Sequence, residues 1–160
     1  KYGILSTAMV SHTGEETGYL YLGKSNEPDS DPKTRYIKML GRKIYEYSLT
    51  QVPAAMKAAM DKAGIPIEGL TKILIHQANE KMDEAIVQRF FRLYKIREIP
   101  DKIMPMSIHD LGNSSVATIP TLYDLILKGQ IPDQRINKGD ILIFASVGAG
   151  MNINSFVYKV

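Results

Sequence analysis

The 160-residue sequence predicts an α/β domain built in layers, and three observations point to it. Two short aliphatic runs, KILIH at 72–76 and DILIFAS at 140–146, have the length of buried strands and are too short for helices. Longer stretches around them repeat apolar residues every three or four positions, which is the period of a helix. The chain closes on DILIFAS and INSFVYKV (153–160), joined by VGAGMN, and this reads as a terminal antiparallel strand pair. Strands alternating with helices imply helices layered on a sheet. A hydrophobic content of 44% and a charged content of 23% are ordinary for a globular protein. Residues 1–160 are expected to form one domain, which can bury roughly two-thirds of its unfolded surface.

Residues 2–10 and 17–22 read as strands, the second with Tyr19 and Tyr21 alternating with Leu20 and Leu22. GKSNEPDSDPKTR (23–35) is polar, carries Pro28 and Pro32, and reads as a surface loop. Residues 42–63 are helical in pattern, through Ile44, Tyr45, Leu49, Val52, Met56, Ala59 and Met60. Pro53 predicts a kink or a second start within that helix. Gly64 and Pro66 supply a stop. After KILIH, Asn79 is suited to cap a helix whose apolar face is Met82, Ile86, Phe90 and Leu93. Lys81, Gln88, Arg92 and Lys95 mark the opposite, solvated face. IMPMSI (103–108) reads as a further strand. LGNSS (111–115) leads into a helix over 115–128, with Pro120 near its first turn and Gly129 closing it.

No apolar run approaches the ~20 residues that cross a bilayer, so no membrane partner is expected. KYGILSTAMV passes into SHTGEET and reads as strand and turn, not as a signal peptide. The chain contains no Cys, hence no disulfide, no thiolate nucleophile and no Cys-based metal site; this fits a reducing cytosol. A net charge of +3 is too diffuse to indicate a nucleic-acid partner. It is compatible with a local basic patch facing an acidic protein or a phosphate.

Three polar elements fall at comparable places in the pattern. Residues 76–79 follow one strand, Gly112, Asn113, Ser114 and Ser115 precede a helix, and Gly148, Ala149 and Gly150 follow another strand. Loops at the carboxyl ends of strands are where layered α/β folds hold their sites. Each element also has a plain structural reading: an interior His, a turn with a helix cap, a hairpin. Together they suggest donors gathered without a nucleophile, which stabilise an oxyanion that another group generates.

HQAN after a short aliphatic strand, GNSS before an aliphatic helix, and GD-ILIFAS-VGAG occur here in that order. This combination resembles the β-ketoacyl-acyl carrier protein synthase III family of the thiolase superfamily. LGRKIYEYSLTQVPAAMKAAMDKAGI (40–65) is similar to the helix that precedes HQAN in that family. The likeness is good over 39–160 and loose before that. It implies a thiolase-like half: a layered mixed sheet with helices on both faces. It also implies a C-terminal domain of a longer cytoplasmic, homodimeric bacterial enzyme, whose N-terminal half carries the nucleophilic Cys. The family condenses an acyl group, loaded from acyl-CoA onto that Cys, with malonyl-acyl carrier protein in fatty-acid synthesis, and needs no cofactor beyond these substrates.

The resemblance assigns His76 and Asn113 as hydrogen-bond donors to the malonyl thioester carbonyl. Gly148, Ala149 and Gly150 match the loop that gives a backbone N–H, here that of Ala149, to the acyl-enzyme oxyanion. Lys81 stands where the family often has an Arg, and with Arg89 it is expected to dock the acidic carrier protein. Gln77 and Asn79 are expected to shape the turn. The chain departs from the family in three ways. It lacks the Cys, so it is expected to be inactive alone and to need its N-terminal half as a partner. The stretch from His76 to Asn113 is long, with the extra length expected in YKIREIPDKIMP (94–105) near the substrate entrance. Val147 stands where many relatives have Phe, which leaves room for a larger primer or another acyl transfer. Other readings are a different thiolase-superfamily acyltransferase or polyketide-type synthase, and a non-catalytic half that binds carrier protein. A metal hydrolase using His12, His76, His109 and Asp110 lacks a ligand spacing such as H-x-H, so no metal is expected.

Overall fold

The computed structural model describes residues 2–160. Four strands form one mixed sheet: β1 (Gly3–Ser11), β4 (Leu70–Ile75), β5 (Ile141–Gly148) and β6 (Asn152–Lys159), in the order β1-β6-β5-β4. The pair β4–β5 is parallel, with Ile73 opposite Ile143, and β5–β6 and β6–β1 are antiparallel. A separate hairpin pairs β2 (Leu20–Gly23) with β3 (Tyr36–Met39). The helices are α1 (Gly41–Ala63), α2 (Glu80–Arg92), the single turn α3 (Ile108–Leu111) and α4 (Thr118–Leu127).

The unbroken aliphatic runs follow from burial on both faces of the sheet. Ile73, Ile75, Ile141 and Ile143 turn toward α1 and α2 and meet Val52, Met56, Met60, Ile86 and Phe90. Leu74, Leu142 and Phe144 turn the other way, onto Leu122 and Ile126 of α4. Phe144 also stacks on Phe156 of β6 with ring centroids 4.5 Å apart. Phe90 is wholly buried, and truncating such a side chain costs about 3–5 kcal/mol. Helices therefore cover both faces of a mixed sheet that ends in an antiparallel pair.

Helix α1 runs through Pro53 without a break. Proline removes the N–H that would bond the carbonyl four residues back, here that of Leu49. Arg89 of α2 fills that place: its Nη1 donates to the Leu49 carbonyl at 3.4 Å. Pro53 therefore does not start a second helix: α1 is continuous from Gly41 to Ala63, the orphaned acceptor has another donor, and Pro53 itself is buried. Gly64 then ends the helix with φ of 66°, the left-handed conformation of a C-terminal cap.

Other expectations need correction. IMPMSI is irregular, not a strand, because Pro105 has no N–H to give to a ladder; one backbone bond, from the Ile73 N–H to the Ile103 carbonyl at 2.8 Å, ties it to the open edge of β4. Residues 17–22 are only half strand. A 3₁₀ turn at Glu15–Gly18 comes first, and the partner strand β3 lies across a long loop with no pattern to announce it. On α2 the buried set is Met82, Asp83, Ile86, Val87, Phe90 and Phe91, while Leu93 lies just past the helix and is exposed. The helix expected over 115–128 begins as a 3₁₀ turn, Ser115–Ala117, before α4. No helix among the described residues is long and apolar enough to cross a membrane.

Candidate active site

His76 is the first residue past β4. Its backbone N–H donates to the Ala145 carbonyl of β5 at 3.0 Å, which extends the parallel ladder by one bond and fixes where the ring leaves the sheet. The half-buried imidazole faces a cleft of about 270 Å³. Ser115 and Val116 form one wall; Ser146, Val147 and Gly148 at the end of β5 form another; Asn152 and Asn154 of β6 complete it. Burial lowers the His76 pKa below its ordinary value, and the Ser115 backbone near the ring pulls the other way. Near neutral pH the ring is therefore uncharged, with one N–H to donate.

The turn that carries His76 is set by its neighbours. Asn79 caps α2, its side chain accepting from the Met82 N–H at 3.1 Å. Gln77 is completely buried, and both ends of its amide are bonded to the segment at 105–107. Both residues shape the turn, as expected.

Asn113 lies on the exposed loop between α3 and α4. Its Oδ1 accepts the Ser115 N–H at 2.9 Å. That bond occupies the acceptor end of the amide, and the donor end, Nδ2, makes no hydrogen bond among the described residues. The side chain itself is not part of the cleft wall, although Ser115 and Val116 just after it are. Of the glycine-rich turn, Gly148 lines the His76 cleft and Gly150 does not. Ala149 borders a different, apolar groove with Leu20, Tyr21, Leu22 and Ile37 of the hairpin, and its carbonyl accepts from Asn152 Nδ2 at 2.7 Å. Gly150 has φ of 138°, and a Cβ there would collide with the Asn152 side chain. The structure thus joins His76, Gly148 and Val147 in one cleft and places Asn113 and Ala149 at its margins.

Lys81 is exposed in the first turn of α2. Arg89, two turns on, leans onto α1 through Leu49. Of the long stretch between His76 and Asn113, residues 99–104 do not border the His76 cleft. Residues 99–104 run against Glu84, Val87 and Gln88 of α2 around a second cleft of about 340 Å³, which shares no lining residue with the first. The residues of the hydrolase reading do not gather. His12 Nδ1 pairs with the Tyr47 hydroxyl at 2.8 Å, and His109 Nε2 with Glu80 at 3.0 Å. Among the described residues no group of three or more His, Asp or Glu side chains could hold a metal ion.

Two residues of this region escaped the sequence reading. Ser107 bonds Gln77 through its N–H and its hydroxyl, a pairing across a long sequence separation that no local pattern signals. Asp83, in the first turns of α2, is completely buried, and neither carboxylate oxygen has a hydrogen-bond partner among the described residues. Burial pushes its pKa up to about 8; the Asn79 backbone opposes the rise, and the charges of Glu80 and Glu84 add to it. Its place in the i, i+3, i+4 pattern beside Met82 and Ile86 was the available signal.

Residues 60–160 match the family model described as 3-oxoacyl-[acyl-carrier-protein (ACP)] synthase III, C terminal. The chain is 31% identical over 147 residues to a β-ketoacyl-[acyl-carrier-protein] synthase III of Prochlorococcus marinus, covering 87% of this chain and 40% of that protein. It is 32% identical over 130 residues to the synthase III of Porphyra umbilicalis, covering 80% of this chain and 36% of that one. The chain thus spans well under half the length of these relatives. The crystal structure of the synthase III from Thermus thermophilus superposes with a TM-score of 0.81 at 24% identity, over 99% of this chain and 46% of that chain, which shows a shared fold. The thiolase-like half expected from HQAN, GNSS and VGAG is the fold observed, and the chain belongs to the family of 3-oxoacyl-[acyl-carrier-protein] synthase III C-terminal domains.

Proposed function

We propose that this chain is the C-terminal catalytic domain of a longer condensing enzyme of fatty-acid synthesis, working in the cytoplasm, and that His76 and Asn113 activate malonyl-acyl carrier protein for decarboxylative condensation. In this reaction the bond between the malonyl α-carbon and its carboxylate breaks and CO₂ leaves. The electron pair passes into an enolate whose charge rests on the thioester oxygen. The enolate carbon attacks the acyl thioester on an upstream Cys, and the thiolate departs. Donors that meet the thioester oxygen weakly in the ground state and strongly in the enolate lower that barrier.

The observation that carries this reading is the half-buried His76 ring, held at the end of β4 in a cleft beside Gly148 and kept uncharged by burial. A neutral imidazole donates through its N–H without taking the proton-transfer role of a charged one. Asn113 supports it: its acceptor oxygen is already bonded to Ser115, so the end of its amide left for substrate is the donor. The Ala149 N–H, at the turn between β5 and β6, is proposed for the acyl-enzyme oxyanion, and Gly148 and Gly150 give that turn its close approach. The exposed Lys81, with the N–H groups Arg89 leaves unused, is proposed to meet the acidic carrier protein. The upstream half that supplies the Cys, and a homodimeric whole enzyme, belong to the same proposal. Exposed Met9, Leu22 and Ile37 offer the apolar surface such a half would cover.

The test uses the full-length enzyme. Asn113→Ala is expected to slow CO₂ release from malonyl-acyl carrier protein by roughly 10²–10³-fold, the usual cost of one lost oxyanion donor. Loading of the Cys by acyl-CoA should continue at the parent rate. Loss of loading with decarboxylation intact would contradict the assignment.

A further inference from the structure

The two proposed donors come from segments far apart in sequence, and one buried side chain lies between them. Gln77 has 0% of its surface exposed. A buried amide is tolerated only when its polar atoms are bonded. Its Nε2 donates to the Pro105 carbonyl at 2.9 Å, and its Oε1 accepts the Ser107 N–H at 2.9 Å and the Ser107 hydroxyl at 3.3 Å. A carbonyl at one residue and an N–H two residues on are what a neighbouring strand would bond. Gln77 supplies that pairing with its side chain, beyond the point where β4 ends.

The segment it grips is a continuous rail. Lys72 Nζ holds the Lys102 carbonyl at 2.7 Å, and the Ile73 N–H holds the Ile103 carbonyl at 2.8 Å. Beyond Ser107 the path is short and bonded at each step. The Ser107 carbonyl accepts from the Leu111 N–H at 2.9 Å, and the Ile108 carbonyl from the Gly112 N–H at 2.9 Å. Gly112 then turns with φ of 63° into Asn113. On the other side, Gln77 directly follows His76, whose own N–H is fixed to Ala145.

We infer that Gln77 is a positioning residue: its buried amide sets the placement of Asn113 relative to His76, so that both donors reach one oxygen. This rests on the reading of His76 and Asn113 as donors to the malonyl thioester. Two donors act on one oxygen only within narrow tolerances, and a displacement of about 1 Å costs on the order of 10²-fold in rate.

The experiment compares Gln77→Met, Gln77→Glu and Asn113→Ala in the full-length enzyme. Met keeps the length of the side chain and loses every bond of the amide. Glu keeps the acceptor for Ser107 and loses the donor to Pro105. Thermal midpoint, Cys loading by acyl-CoA, and kcat and KM for malonyl decarboxylation are read for each. Gln77→Met is expected to lower decarboxylation kcat by roughly 10–100-fold. KM should stay within about twofold and loading at the parent rate. Adding Asn113→Ala to Gln77→Met should cost less than Asn113→Ala alone, because the misplaced amide has already lost most of its effect. Gln77→Glu should fall between Met and the parent, and it decides the matter if the Met variant does not fold. Unchanged kcat in a folded variant would overturn the proposal, as would loading and decarboxylation falling together with the thermal midpoint. If Asn113→Ala and His76→Ala themselves leave CO₂ release unchanged, the donor reading fails, independently of Gln77.

Discussion

Asp83 shows how much a single residue can shape the pH dependence of this protein. It is buried, with no hydrogen-bond partner for its carboxylate among the described residues, and burial raises its pKa to about 8. In the unfolded chain the carboxyl ionises near 3.8, the ordinary value of an aspartate. Between these values the folded state holds a proton that the unfolded state has lost, so stability falls as pH rises through that window and levels off above it. The accumulated cost at pH 7 is on the order of 4 kcal/mol. Asp83→Asn should remove this downward slope in urea-midpoint measurements between pH 4 and 8; an unchanged slope would mean that the carboxyl is ionised in the fold. His76 acts with the opposite sign. Its lowered pKa makes stability fall as pH drops below the ordinary range of histidine. At this scale the sequence was legible where the signal was local. Asn79 as a cap follows from its own neighbours, whereas the bond from Gln77 to Ser107 depends on a segment that arrives much later in the chain.

The long helix α1 carries a proline in its middle and stays helical throughout, and the carbonyl that the proline leaves open is met from another element. Arg89 of α2 donates to the Leu49 carbonyl that Pro53 leaves open. Arg89→Met should therefore cost about 1 kcal/mol of stability. In a Pro53→Ala background the restored N–H takes over the carbonyl, and the same change should cost close to nothing. A double-mutant cycle in urea reads the coupling, and additive effects would show that Leu49 does not depend on Arg89. The sequence marked the proline correctly but could not show its compensation, because α2 meets α1 only in the fold. The same limit applies to β3: residues 36–39 have no alternation of their own and become a strand by pairing with β2. IMPMSI failed in the opposite direction. Its composition suits a strand, but Pro105 denies it a ladder and Gln77 supplies a side-chain substitute.

For the molecule as a whole, the layered fold was legible because β4 and most of β5 are buried on both faces, and such strands read as aliphatic runs in any context, while β6 alternates buried with more exposed residues. The site was half legible. HQAN, GNSS and VGAG named the residues, and His76, Ser115, Val147 and Gly148 of them line one cleft, while Asn113 and Ala149 do not line it. A catalytic centre that draws its nucleophile from another half, as proposed, would leave such margins open in this half. The central proposal is that His76 holds the charge of an enolate formed on malonyl-acyl carrier protein. The direct measurement is CO₂ release by the full-length enzyme carrying His76→Ala, with Cys loading followed in parallel. The account predicts a loss of roughly 10²–10³-fold in CO₂ release with loading preserved. Release at the parent rate would contradict it and leave this domain as a surface that binds carrier protein.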